Sequence, residues 1–372
     1  IGQCSKLEMI GFKSNQIKAV AENALPIVTR WLILTDNKIE QLPNSMGDLY
    51  RLQKLALAGN ELTQLPESMV NCTNLELARF SANKLTAMPE FLFELPKLSW
   101  LAISGNPFNS DFDIEKTAMQ EVSMVDFELN QVLGQGASGV IHHGTWLKQP
   151  ENLLGQPADI AVKLFKGDLT SDGFPKEELA CCLSAGEHAD LIKVVAQIKQ
   201  AEKLGLVMDL IPASFINLGL PPSLKTCTRD TFNTGTEFKL KDIVYICHQL
   251  ANAMAHMHSN NISHGDVYAH NIMINEKADM LFGDFGAATN LATLSVEQQQ
   301  AFERIEVRAF ACLLDDLLSH LAIEDESSLD VTILKLLKEQ CMQEAVLLRP
   351  SFQQIKSDLN ELLKEPIAIK NH

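Results

Sequence analysis

ISHGDVYAHNIMI, residues 262–274, and LFGDFG, residues 281–286, decide how this chain is read. Three oxygen-bearing side chains stand out there from an apolar setting: Asp266, Asn271 and Asp284. Carboxylate and amide oxygens are the ligands that hard divalent cations take, and a carboxylate also orients an attacking hydroxyl. Taken singly, each Asp reads as a turn cap and His264 as a core histidine. Their meaning comes from what stands upstream of them, and in what order.

LGQGASGVIHHG, residues 133–144, spaces Gly134, Gly136 and Gly139 as in a loop that covers phosphates. Glycines there let backbone N–H groups approach a phosphate closely, but ordinary hairpins and dinucleotide-binding folds use similar spacing. The apolar alternation around the loop and the lack of an immediate helix favour a hairpin. After a loop at residues 149–158 comes IAVK, residues 160–163, a short apolar run that ends in Lys163. PKEELACCLSAGEH, residues 175–188, predicts a helix with two acids, Glu177 and Glu178, in its first turn. Acids at a helix start also suit the dipole, so either one is open as a partner for the lysine. LVMDLI, residues 206–211, predicts a strand running into a hinge.

Five motifs in this order resemble the eukaryotic-type protein kinase superfamily, from Asp126 to about Leu363. The resemblance implies a two-lobed α+β fold with ATP bound between a small sheet lobe and a larger helical lobe. It implies that Asp266 orients the attacking hydroxyl, that Lys163 pairs with Glu178 beside the phosphates, and that Asn271 and Asp284 hold Mg²⁺. Gly134, Gln135, Gly136, Gly139, Ile141, Ala161, Lys163, Met208 as gatekeeper, Asp209, Ile211 and Met273 would surround ATP, and Gly286 would supply a flexible turn beside the metal. ERIEVRAFACLLDDLL, residues 303–318, looks like the family's central buried helix, and Arg349 in LLRPSF like its buried arginine.

Several positions depart from the family pattern. Gly265 replaces the arginine that contacts a phosphorylated activation segment, Tyr268 stands where serine/threonine kinases carry a lysine, and His270 where tyrosine kinases carry arginine. No APE follows Gly286, so the peptide-seating segment is expected to be short or rebuilt, with Glu303 as a substitute partner for Arg349. The reading is a serine/threonine protein kinase; a nucleotide-binding pseudokinase scaffold and a small-molecule kinase are the alternatives.

Ahead of these motifs, Asn15, Asn37, Asn60, Asn83 and Asn106 recur at a near-constant interval, each with apolar residues at fixed positions before and after it. In three units the pattern is complete, as in Leu52, Leu55, Leu57, Asn60 and Leu62; Thr29 and Ala78 break it in the others. Pro43, Pro66 and Pro89 open the return segments. This resembles leucine-rich repeats, an α/β repeat solenoid, and implies a concave strand face that binds partners. Trp31, Lys54, Leu77, Arg79 and Trp100 fall on that face and would meet a protein partner or substrate, or dock on the kinase lobe. No repeat residue suggests catalysis. The expected division is repeats at 1–108, a linker at 109–125 with a short helix around Ile114 to Val122, and a kinase-like domain at 126–365.

The chain has 372 residues, 46% hydrophobic and 21% charged, a globular composition with a formal charge of −16. That balance excludes a nucleic-acid surface or an anionic membrane surface, both of which need clustered Lys and Arg. Eight cysteines without zinc-site spacing read as reduced thiols, and no apolar stretch approaches a membrane span, so a cytoplasmic location is expected. The chain opens at Ile1 without Met, which reads as a fragment lacking its first repeats or cap.

Overall fold

The computed structural model describes residues 1–109, 119–136, 138–167, 169–170, 172–200 and 203–364. Its N-terminal part is a five-stranded parallel sheet of three-residue strands: β1 (Met9–Gly11), β2 (Trp31–Ile33), β3 (Lys54–Ala56), β4 (Leu77–Arg79) and β5 (Trp100–Ala102). One strand falls in each sequence repeat, so equivalent residues pair: Trp31 with Lys54, Lys54 with Leu77, Leu77 with Trp100.

The recurring asparagine explains the interval. Asn60 accepts from the Ile39 N–H at 3.1 Å and donates to the Leu34 and Leu57 carbonyls at 2.9 and 3.0 Å. Asn83 and Asn106 repeat this one unit later, onto Leu62 and Leu85. Each side chain thereby satisfies backbone groups that the turn strips from the ladder and buries. Pro43, Pro66 and Pro89 precede single 3₁₀ turns that close the units. Thr29 and Ala78, the two breaks in the apolar pattern, are both fully buried, and the Thr29 hydroxyl donates to the Pro26 carbonyl.

The next sheet begins earlier than the sequence suggests. β6 (Glu121–Val122) pairs in parallel with Gln197 and Ile198, so part of the expected linker is a strand where a short helix was anticipated; residues 110–118 lie outside the described residues. β7 (Phe127–Gln135), β8 (Gly139–Trp146), β9 (Asp159–Phe165), β10 (Val194–Gln200) and β11 (Lys203–Asp209) complete six strands in the order β6-β10-β11-β9-β8-β7, with α1 (Pro175–Ala185) packed against β11. The glycine loop is indeed the turn of an antiparallel hairpin.

A helical part follows. β12 (Ile216–Asn217), α2 (Leu240–Ser259), β13 (Ile262–Ser263), β14 (Ile272–Ile274), β15 (Met280–Phe282) and β16 (Thr289–Asn290) precede α3 (Val296–Leu318), α4 (Leu329–Cys341) and α5 (Phe352–Lys364). α2 packs on α5 and α3 on α4, with the apolar faces of α2 and α3 at the centre of one core. No described helix is long and apolar enough to cross a membrane.

The two cores interlock. Leu77 and Trp100 belong to the helical core, while Leu291, Leu294, Phe302, Ile305 and Val346 belong to the core of the N-terminal sheet. Arg349, expected to pair with Glu303, instead donates to the Arg304, Gln343 and Pro96 carbonyls at 2.8 to 2.9 Å, the last of them in the N-terminal part. Glu303 is occupied by the Phe352 N–H and by Arg304.

Candidate active site

Lys163 sits on β9 opposite Ile141 and Leu206, and its Nζ donates to Glu178 Oε1 on α1. The choice between the two helix acids is thus resolved in favour of Glu178. Lys163 Nζ also lies 3.9 Å from Asp284 Oδ1. Burial works against both charges of the pair; on Lys163 the Glu178 and Asp284 carboxylates overcome it and hold its pKa above the ordinary lysine value. On Glu178 burial prevails over Lys163 and moves the carboxyl up. Direct contact with Lys163 makes an ion pair the state that fits this geometry.

Asp284 begins a 3₁₀ turn in the left-handed conformation, φ 64°, and accepts from the Gly286 N–H at 3.3 Å. The special backbone therefore belongs to Asp284; Gly286, expected to provide the turn, sits inside it with an ordinary φ. Asp and Asn are the non-glycine residues that tolerate this region best.

Asp266 follows β13. Asn271 donates Nδ2 to its Oδ2 at 2.9 Å and to its backbone carbonyl at 3.0 Å. His264, fully buried and stacked on Phe282 at 4.0 Å, places Nε2 3.0 Å from the Gly283 carbonyl and accepts from the Asp266 N–H at Nδ1. Burial pushes its pKa down to about 4, so the ring is neutral and ties the Asp266 loop to the strand before Asp284. Glu306 on α3 takes the Gly265 N–H on one oxygen and His258 on the other, the latter at 2.7 Å.

The N-terminal sheet contributes directly, contrary to expectation. Arg79, almost fully buried, donates Nη2 to Asp266 Oδ1 at 2.5 Å and Nε to Asp172 Oδ1 at 2.9 Å. Trp100 stacks on Tyr268, ring centroids 4.6 Å apart, and its indole N–H donates to the Val267 carbonyl at 3.0 Å. Trp31 carries Lys54 over its ring and is buried with Leu77 within the same chain. Of the two uses foreseen for this face, docking on the chain's own catalytic part is the one observed. Asp266 is pushed up to about 6, because burial outweighs the Arg79 guanidinium.

The residues expected around a nucleotide divide. Lys163, Glu178, Met208, Gly283 and Asp284 line a small pocket that opens to solvent. Asp209 and Ile211 line a separate cavity of about 740 Å³ with His188, Lys193 and Leu281; Ile192 borders both. Gly134 and Gln135 end β7, opposite Ile141 and Val140, and Gly136 opens the turn with its N–H on the Gly139 carbonyl at 3.0 Å; a Cβ at 134 or 136 would meet nothing within 4 Å. Gly139 differs, since a Cβ would come 2.6 Å from the Leu164 carbonyl. Ala161 is buried opposite Met208, and Met273 pairs with Leu281 across β14 and β15.

A family model described as protein tyrosine and serine/threonine kinase matches residues 127–321. The chain belongs to this kinase family. Fibroblast growth factor receptor 1 of Pleurodeles waltl is 22% identical over 237 residues, 61% of this chain and 29% of the receptor. Its Xenopus laevis namesake is 22% identical over 231 residues, 59% of this chain and 28% of the receptor. The chain thus spans less than a third of the length of these relatives. Family membership implies ATP and Mg²⁺ in general. The donors fit that metal: Asp284 keeps about half of its side chain exposed, at 55%, and Asn271 brings an amide oxygen, both hard ligands.

Sequence reasoning missed Asp172 and Glu306, and it named Arg79 only as a residue of the partner-binding face, not as a neighbour of Asp266. The signal for Glu306 was an acid on the buried side of a helix otherwise read as apolar. For Arg79 the signal was a lone arginine in a strand column of apolar and small residues.

Proposed function

We propose that this chain is an ATP- and Mg²⁺-dependent protein kinase that transfers the γ-phosphoryl group to a protein hydroxyl. The observation that carries the reading is Lys163 paired with Glu178 and 3.9 Å from Asp284, with Asp266 and Asn271 joined on the facing loop. In the reaction the acceptor hydroxyl donates to Asp266. As its oxygen bonds to γ-phosphorus, the proton passes to Asp266 and the bond to the ADP oxygen breaks. Lys163 meets the negative charge of the phosphates. Mg²⁺ bound by Asp284 and Asn271 would offset the remainder. With a pKa near 6, Asp266 is mostly ionised at neutral pH yet more basic than an ordinary aspartate, which suits a proton acceptor.

The N-terminal sheet reads as leucine-rich repeats on the strength of its one strand per repeat and its asparagine ladder. With Arg79 and Trp100 buried against the catalytic loop, it acts as a fixed wall of the site rather than as a recruiting arm. A nucleotide-binding scaffold is the second reading, favoured by the engagement of Asp266 with Arg79.

Incubation with γ-labelled ATP, Mg²⁺ and a degenerate peptide array, beside Asp266→Asn, separates the two. Label on hydroxyl-bearing peptides, lost in the variant, is expected, and the labelled residue type identifies Ser, Thr or Tyr as acceptor. Nucleotide binding without any label transfer would leave only the scaffold.

A further inference from the structure

The catalytic loop places no cation of its own in contact with Asp266. Gly265 has no side chain, and Tyr268 lies flat against Trp100. His270 is turned to Asp230, with Nδ1 at 2.7 Å and its N–H on the other oxygen at 3.2 Å. The cation arrives from β4. Arg79 reaches Asp266 Oδ1 with Nη2, Asp172 with Nε, and the Gly265 carbonyl with Nη1 at 3.1 Å. Asn271 holds the other oxygen, Oδ2, at 2.9 Å. Both carboxylate oxygens are therefore fixed, one from each part of the chain.

We propose that Arg79 is the positioning residue of Asp266, so that the phosphotransfer site is complete only when the N-terminal sheet is docked. This rests on the kinase reading above. A planar guanidinium fits the role because its fork spans Asp172 and Asp266 at once and sets the direction of each bond, where a lysine presents a single point charge. The same fork grips the Gly265 and Trp100 carbonyls, the latter at 3.3 Å, so the cation is registered against both β5 and the catalytic loop. Without it Asp266 keeps Asn271 alone and is free to turn away from the acceptor hydroxyl.

The test is full-chain kinetics of Arg79→Ala and Arg79→Gln, with folding checked by melting and the wild type assayed alongside. Misplacing a reacting group by about 1 Å costs on the order of 100-fold, so kcat should fall by about that factor while KM for ATP stays within about threefold. Added guanidinium ion should restore activity to Arg79→Ala, because it refills the vacated site. Where Arg79→Ala does not hold its fold, Arg79→Gln keeps most of the stem and carries the same expectation for kcat. A kcat within about threefold of wild type in either folded variant would overturn the inference. So would a loss confined to KM. An inactive wild type strikes the kinase reading itself, whereas an active wild type with an equally active variant strikes only Arg79.

Discussion

At position 265 a side chain has nowhere to go. Gly265 lies at φ +72°, and a Cβ there would come 2.5 Å from the Ala287 carbonyl and 2.8 Å from that of Leu101. Restoring the family's arginine by Gly265→Arg should therefore cost ~3 kcal/mol or more of stability in a denaturant titration, and an unchanged midpoint would contradict the packing described. The neighbouring His264 and Asp266 pull stability in opposite directions with pH. Burial lowers His264 from 6.5 to about 4, so its contribution is lost as pH falls through that window. Burial raises Asp266 from 3.8 to about 6, so its contribution is lost as pH rises through nearly the same window. Each is worth roughly 3 kcal/mol, so their two contributions nearly cancel between about pH 4 and 6. Asp266→Asn removes one side, so relative to wild type its stability should climb with pH across that range; a profile parallel to wild type would count against this environment. Asp266, Lys163 and Asp284 were legible because each stands in a short motif whose spacing is local. The Arg79 contact joins residues 187 positions apart, and no local pattern encodes it.

Among the elements, the segment from Ala287 to Ser295 departs most from a regulated kinase. Thr289 is buried in β16, paired with Ser263, and its hydroxyl accepts from the Ile103 N–H at 3.3 Å. Ser295 caps α3 in a reciprocal box with Gln298. The Thr289 hydroxyl is thus shut off from a phosphate donor, while exposed Ser295 already serves the first turn of α3, and Leu291 and Leu294 anchor the segment in the N-terminal core. Phosphatase treatment should leave specific activity unchanged, and Ser295→Ala should cost about 1 kcal/mol of stability without lowering kcat. A large activity drop on dephosphorylation would mean that an exposed site, Thr293 or Ser295, governs the activity. The glycine hairpin, α1 and the parallel strands followed from alternation, helix-start acids and the asparagine interval, all of them short-range signals. β6 escaped because two residues carry no periodicity, and its pairing with β10 is a tertiary choice.

Across the whole molecule the division expected from the sequence, repeats then kinase, is a division of pattern rather than of cores. Trp100 and Leu77 complete the core of the helices, and Phe302, Ile305 and Val346 complete that of the N-terminal sheet. Truncating one such large side chain typically costs 3–5 kcal/mol, so neither part should hold its fold as one unit melts away from the other. The motifs and the asparagine interval pointed to a kinase part and to a part of short, regularly spaced strands; their shared interior rests on contacts between distant segments and was not readable. Scanning calorimetry of the full chain with and without Mg·ATP tests the account most directly. One cooperative transition is expected, raised by the nucleotide by several degrees at about 100-fold saturation, with the rise abolished in Lys163→Met. Two separate transitions, neither of them moved by Mg·ATP, would contradict it.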